Sequence, residues 1–151
     1  VKPVTPEFDE LSTTLGRAAL YAVEFMGGHT ITFVVVYGWT DGAQDAKAAD
    51  RTSDMFEIIF NELKVQPDGP KFIVGDGNAT TADITSLNLA LLTPEEETHA
   101  WHDIGTLAEL WGQTPCGPTC KAYNANHPTR RDYVIANTEG LGLVGSSEVS
   151  W

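Results

Sequence analysis

Phe72-Ile73-Val74-Gly75-Asp76-Gly77-Asn78-Ala79 is a short apolar run that exits through two glycines around an acid and an amide. With Lys71 it reads as a buried strand, and Gly75-Asp76-Gly77-Asn78 as its end. Just upstream, Pro67-Asp68-Gly69-Pro70 stops a helix. That helix runs from Asp45 to about Lys64. Phe56, Ile59, Phe60 and Leu63 fall on one face, and Asp50, Arg51, Asp54, Glu57 and Glu62 fall largely on the other. Before it, Ile31–Tyr37 is rich in β-branched and aromatic residues and reads as a buried strand. Ala19, Tyr21, Val23 and Phe25 alternate with Leu20, Ala22 and Glu24, a period-two pattern. Gly27-Gly28-His29 supplies the turn between these strands, which predicts a hairpin over residues 18–37. A strand, a helix and a second strand in this order predict a crossover, with both strands in one sheet and the helix on its face.

Working outward, residues 1–16 hold Pro3, Pro6 and Gly16 and read as an irregular lead-in. Thr93-Pro94-Glu95-Glu96-Glu97 reads as a capped helix start, with acids at the positive helix end. Thr106–Trp111 reads as a short helix and Gly112–Pro128 as loop. Asp132–Ala136 and Leu141–Val144 read as two further short strands. No repeat or low-complexity tract is present.

The chain has 151 residues, with 21 acids against 9 Lys and Arg, a net charge of -12 and 42% apolar residues. That length suits one modest domain with a real core. The acid excess argues against binding nucleic acid mainly through phosphate neutralisation, but it suits a site for a divalent cation. Phe33–Tyr37, the longest apolar stretch, is far too short to span a bilayer.

Alternation along a strand would point Asp76 and Asn78 the same way, so a carboxylate and a carboxamide would share one surface at a sheet end. Such a pair suits a water, a metal ion or a phosphate oxygen, although a Gly- and Asn-rich turn has the same composition. A calcium loop is excluded, because Thr81 stands where it needs Gly and Leu87 where it needs Glu. Cys116 and Cys120 allow a local disulfide, half a zinc site or two incidental thiols. His29, His102 and His127 read as solvated turn, strand-flank and loop residues. Arg130 and Arg131 read as phosphate contacts beside Asp132 or, for Arg130, as surface.

The ordered set Phe33-Val-Val-Val-Tyr37-Gly38, a helix, Gly75-Asp76-Gly77-Asn78-Ala79, Trp101-His-Asp103, Pro118-Thr119 and Arg131-Asp132-Tyr133-Val134 resembles the endonuclease/exonuclease/phosphatase superfamily. The resemblance implies an α/β (α+β) chain with the DNase I-like two-sheet sandwich and flanking helices, of which residues 17–151 form a partial domain. It implies that Asp76 orients or deprotonates an attacking water and that Asn78 bonds the scissile phosphate. It implies that Tyr37 contacts that phosphate and that Asp132 holds a catalytic histidine in its working orientation. Mg2+ or Mn2+ is the implied cofactor, and the implied partner is a phosphodiester substrate, with nucleic acid among the candidates.

Four departures stand beside the resemblance. Gly77 replaces a Phe, Trp39 a Pro, Val35 an Asn, and Arg131 an apolar residue. The family's metal-binding Glu and its Ser-Asp-His-like histidine have no match in these residues, so the chain alone is expected to be inactive and to expose an apolar sheet face. The alternatives are a degenerate, non-catalytic binding domain or retroelement relic of the same fold, and an unrelated acidic α/β binding domain.

Overall fold

A computed structural model describes residues 3–42, 44–92, 100–121, 123 and 126–145. In chain order it contains α1 (Pro6–Asp9), a π-helical turn over Glu10–Thr14, β1 (Ala18–Phe25), β2 (His29–Tyr37), α2 (Ala46–Val65) and β3 (Lys71–Asp76). There follow α3 (Thr85–Leu92), β4 (Trp101–Asp103), a 3-10 turn over Ala108–Trp111, β5 (Asp132–Asn137) and α4 (Thr138–Leu141).

The strands form one mixed sheet in the order β1-β2-β3-β5-β4. Only β2 and β3 run parallel, as the crossover through α2 requires. The β1–β2 hairpin turns through Gly27 and Gly28, both at positive φ. Asp45 caps α2 by accepting the amide of Lys47 at 2.9 Å. The apolar stripe of α2, Met55, Phe56, Ile59, Phe60 and Leu63, packs on Val34, Val36, Ile73, Tyr133 and Ile135 of the sheet. Burying each large apolar side chain of this kind contributes about 1.5–3 kcal/mol, so this face is where the fold is held.

Residues 3–16 differ from the expected irregular lead-in. Thr5 caps α1, Pro6 opens it, and Phe8 and Leu11 are buried in the main core. Glu62, expected on the polar side of α2, is fully buried and ties this segment down. Its carboxylate accepts the amide and hydroxyl of Thr5, and Nε2 of Gln66 at 2.8 Å. A buried carboxylate persists only with such partners.

Leu141–Val144 is not a strand. Asn137 caps α4 by accepting the amide of Gly140 at 2.8 Å, and the chain turns instead of extending. Leu141 and Val144 then pack against Phe72, Ile104 and Ala136 on the sheet's second face. Two elements had no clear sequence signal. In α3 the apolar residues lie all round, which removes the helical period. β4 has only three residues. The expected helix start at Thr93–Glu97 lies outside the described residues.

The second face is covered only in part. Trp111, Leu141 and Val144 shield the β3–β5 side, where Phe33 and Phe72 stack at 5.4 Å. Toward β1 and β2, Tyr21, Val23, Phe25, Val35 and Tyr37 remain exposed. This matches the expected uncovered apolar face. Among the described residues no helix is long and apolar enough to cross a membrane.

Candidate active site

Strand register brings three of the four expected site residues together. Tyr37, the last residue of β2, lies opposite Asp76, the last of β3. Asp76 in turn lies opposite Asp132, the first of β5. Registered partners point to the same side of a sheet, so all three share the face that carries Phe33 and Phe72. They form one row across three adjacent strand ends, about 4.8 Å from strand to strand.

Asn78 is placed differently. β3 ends at Asp76, so alternation does not reach Asn78. Its φ is 53°, in the left-handed region that Asn tolerates. The side chain turns inward, is buried, and donates from Nδ2 to the carbonyl of Gly38 at 3.0 Å. Its backbone amide donates to Oδ1 of Asp76 at 2.7 Å. Asn78 therefore fixes the Asp76 carboxylate and ties the β3 exit to the β2 exit.

The glycines around this turn are required by close approach. Gly38 donates to the carbonyl of Asp76 at 2.7 Å, and a Cβ on Gly38 would collide with the Gly77 carbonyl. Gly75, at φ +143°, would collide with the carbonyl of Val36. At Gly77 a Cβ would sit 3.2 Å from Ile84 and 3.3 Å from Tyr133. Ile84 and Tyr133 thus close the space beside Gly77. The Tyr133 hydroxyl lies 2.8 Å from the carbonyls of both Ala79 and Arg130, which joins the turn after Asp76 to the start of β5.

Burial raises the pKa of Asp76, the Asn78 amide opposes that rise, the charge of Asp132 adds to it, and Arg131 lowers it. The result is a carboxylate more basic than usual, in an open position. Among the described residues no histidine is bonded to Asp132. His102 lies at the far end of β5, where its Nε2 is 3.0 Å from the Thr138 hydroxyl, and burial lowers its pKa.

Arg130 is not a surface residue. It is mostly buried, and its guanidinium donates two hydrogen bonds to Asp103, at 2.6 and 2.7 Å. The two cysteines are free thiols, and the amide of Cys116 bonds Gly105 at 2.8 Å. The described residues hold no group of three or more His, Cys, Asp or Glu placed to bind a metal. Asp76 and Asp132 offer at most two carboxylates to Mg2+ or Mn2+ at these strand ends, so such an ion would need further oxygen ligands.

Sequence reasoning missed Arg17. It precedes β1, and its carbonyl accepts the amide of Tyr37 at 2.9 Å, which extends the row by one strand. Its guanidinium carbon lies 5.3 Å from the Tyr37 ring centre and 4.7 Å from that of Trp39. Its Nη1 donates to the carbonyl of Gly38 at 3.1 Å. An isolated Arg in a strand-like run carries no sequence signal for this.

No protein-family model matches the chain, and no curated protein matches it by sequence. Solved structures do match by shape. The catalytic domain of Xenopus laevis APE2 superposes with a TM-score of 0.57 at 18% identity, over 92% of this chain and 53% of that one. D. rerio TDP2 complexed with a single-strand DNA product gives 0.56 at 14% identity, over 80% and 46%. A D. rerio TDP2 humanised by 14 mutations gives 0.56 at 13% identity, over 80% and 44%. The chain thus spans about half the length of the structures it matches. Together with the β2–α2–β3 crossover and the mixed sheet, these likenesses show that the chain has the DNase I-like fold.

Proposed function

We propose that this chain carries the water-activating side of a phosphodiester hydrolase. The observation that supports it is the row of Tyr37, Asp76 and Asp132 on one face of three adjacent strand ends. In this reading Asp76 accepts a proton from the attacking water through the oxygen that Asn78 does not occupy. Its raised pKa suits a general base. Tyr37, half exposed, donates its hydroxyl to a phosphate oxygen. Asn78 holds the carboxylate through its amide and keeps a second Nδ2 hydrogen for the phosphate. Asp132 orients an imidazole brought by other residues, as carboxylates do elsewhere.

A divalent cation, Mg2+ or Mn2+, would neutralise charge developing on the phosphate. Its ligands and the imidazole belong to polypeptide other than the described residues. The 151-residue chain alone is expected to be inactive. Nucleic acid is the leading substrate class, since a structural neighbour holds a single-strand DNA product.

A second reading is a non-catalytic binding domain of the same fold. It is favoured by the departures at Gly77, Val35 and Arg131. The full-length protein separates the two in plasmid nicking and bis(p-nitrophenyl) phosphate hydrolysis with Mg2+, Mn2+ or EDTA. The hydrolase reading expects metal-dependent turnover that falls about 10²–10⁴-fold in Asp76→Ala, the usual worth of a general base. Turnover that survives EDTA, or is unchanged by Asp76→Ala, overturns it.

A further inference from the structure

Two thiols stand beside the candidate site without a part in it. Cys116 and Cys120 are free and half-buried, and both line one open cavity of about 710 Å3 between residues 112–121 and Pro128. The backbone of each is pinned elsewhere. The amide of Cys116 donates to the carbonyl of Gly105 at 2.8 Å. Cys120 pairs with Thr129, accepting its amide at 2.7 Å and donating to its carbonyl at 2.9 Å. Only Gly117, Pro118 and Thr119 lie between the two cysteines. A Cβ on Gly117 would meet nothing within 4 Å, so the segment can bend there. Cys116 also has a charged neighbour. A Cβ built on Gly105 would collide with both the Cys116 Cβ and the Arg130 guanidinium, so these two side chains pack over the same glycine. A thiolate formed at Cys116 during exchange therefore carries its charge beside a cation.

Thr119, between the thiols, does not line the cavity. Its hydroxyl accepts the amides of Arg131 at 3.0 Å and Asp132 at 3.2 Å. The dithiol thus brackets the side chain that seats the first residue of β5 opposite Asp76.

We propose that Cys116 and Cys120 form a dithiol modification site, which a small-molecule disulfide such as oxidised glutathione converts to an intrachain bridge, and that the bridge releases Thr119 from β5. The Cys116 thiolate attacks one sulfur of the oxidant, forming a mixed disulfide and expelling one glutathione thiolate. The Cys120 thiolate then attacks the Cys116 sulfur and expels the second. One S–S bond breaks and one forms. The protein gives up two electrons and two protons, and the oxidant becomes two reduced thiols. A bridge needs Cβ atoms about 3.5–4.5 Å apart. In the reduced chain the Cys116 thiol instead donates to the Gly117 carbonyl at 3.6 Å. Closing the bridge therefore turns Cys116 away from Gly117 and draws the intervening residues into a ring. Pro118 holds its φ, so the rearrangement falls on Gly117 and Thr119, and the Thr119 hydroxyl leaves the two amides. The effect on turnover rests on the hydrolase reading of the same site: Asp132, no longer seated opposite Asp76, serves the reaction less well. Formation of the bridge does not rest on it.

The test uses the 151-residue chain without substrate, treated with oxidised glutathione and then with dithiothreitol. The expected mass change is the loss of two hydrogens, with both thiols closed to iodoacetamide and recovered on reduction. Cys116→Ser and Cys120→Ser should each abolish the bridge. Amide hydrogen exchange reads the release of β5. In the oxidised chain the amides of Arg131 and Asp132 should exchange about two- to tenfold faster, the range expected for one lost hydrogen bond. The amide of Lys47, capped by Asp45 at the start of α2, is the control and should not change. Thr119→Val should give the reduced chain the same fast exchange, and oxidation should then add nothing. If Thr119→Val fails to fold, the oxidised and reduced forms of the unmutated chain still give the reading. No reaction, a mixed disulfide that never closes, a bridge between two copies, or a bridge that leaves Arg131 and Asp132 unchanged overturns the proposal. Hydrolysis by the full-length protein and its loss in Asp76→Ala are read separately, so either idea can fail while the other stands.

Discussion

Two settings of acid and arginine meet at the start of β5 and differ in every physical respect. Asp103 and Arg130 are mostly buried and share two hydrogen bonds, at 2.6 and 2.7 Å. The amide of Gly105 donates to Asp103 at 3.1 Å, and Arg130 lies 4.9 Å from the Tyr133 ring centre. A few residues away Asp76 and Asp132 face each other with Arg17 and Arg131 nearby, and no ion pair forms among them. The first setting pairs its charges within the chain, leaving only the buried Arg130 Nε without a partner among the described residues, and serves the fold. The second leaves carboxylates and guanidinium groups available. Identical residue types become scaffold or site according to whether their hydrogen bonds are closed within the chain.

The comparison breaks most visibly at the closed pair. Removing one partner of a buried ion pair leaves the other uncompensated and costs about 3–5 kcal/mol. Arg130→Ala and Asp103→Ala are each expected to lose stability on that scale, read as the midpoint of urea unfolding. Arg130→Lys should recover little, because an ammonium cannot make the two-pronged contact. The double variant should cost clearly less than the sum of the singles, the sign of direct coupling. Additive losses would mean that Asp103 and Arg130 act independently and that the contrast with the open acids is only apparent.

A smaller effect is expected at Gly77, where the scaffold touches the site. A Cβ there meets Ile84 and Tyr133 at 3.2 and 3.3 Å, so each must give by a few tenths of an ångström. Gly77→Ala should cost about 1 kcal/mol. Gly77→Phe overpacks the pocket and should cost about 1–3 kcal/mol, and it should break the Tyr133 hydroxyl's hydrogen bond to Ala79. Adding Ile84→Ala to Gly77→Phe should recover part of that cost, since the removed side chain makes room. If the two substitutions simply add, Ile84 does not occupy the space that a Phe would take.

Much of the fold is readable from residues. The hairpin over 18–37, the helix from Asp45, the crossover and the strand at Asp132 follow from period-two and helical patterning, and the structure contains all of them. The row of Tyr37, Asp76 and Asp132 is implied by resemblance and becomes geometric only through register, which a sequence does not state. Beyond the period-less α3 and the three-residue β4, much of what is not legible comes from side chains bonding to distant parts of the chain. Asn137 turns the chain into α4 through a cap on Gly140 and also accepts the amide of Lys71 at 2.9 Å, which no local pattern encodes. Glu62 reads as solvated because its partner, Thr5, lies 57 residues away. Arg130 reads as surface because Asp103 lies 27 residues away.

The smallest effect separates the open acids from the closed pair by sign. Arg130 and Asp103 stabilise the fold, whereas the charge on Asp76 works against it. Burial, reinforced by Asp132, raises the Asp76 pKa above its ordinary value of 3.8, despite the opposing Asn78 amide and Arg131. The folded state then holds a proton more tightly than the unfolded state between those two values. Stability falls as pH rises through that interval and stays lower above it. Asp76→Asn removes the charge and keeps an oxygen to accept the Asn78 amide. It is expected to match the parent below pH 3.8 and to exceed it at neutral pH by up to about 0.5 kcal/mol, the scale of a partly solvated position. Arg131→Gln should widen the gap, because Arg131 partly offsets the cost. If Asp76→Asn is instead less stable at neutral pH, the carboxylate is internally satisfied like Asp103, and the distinction between an open site and a closed scaffold pair is lost.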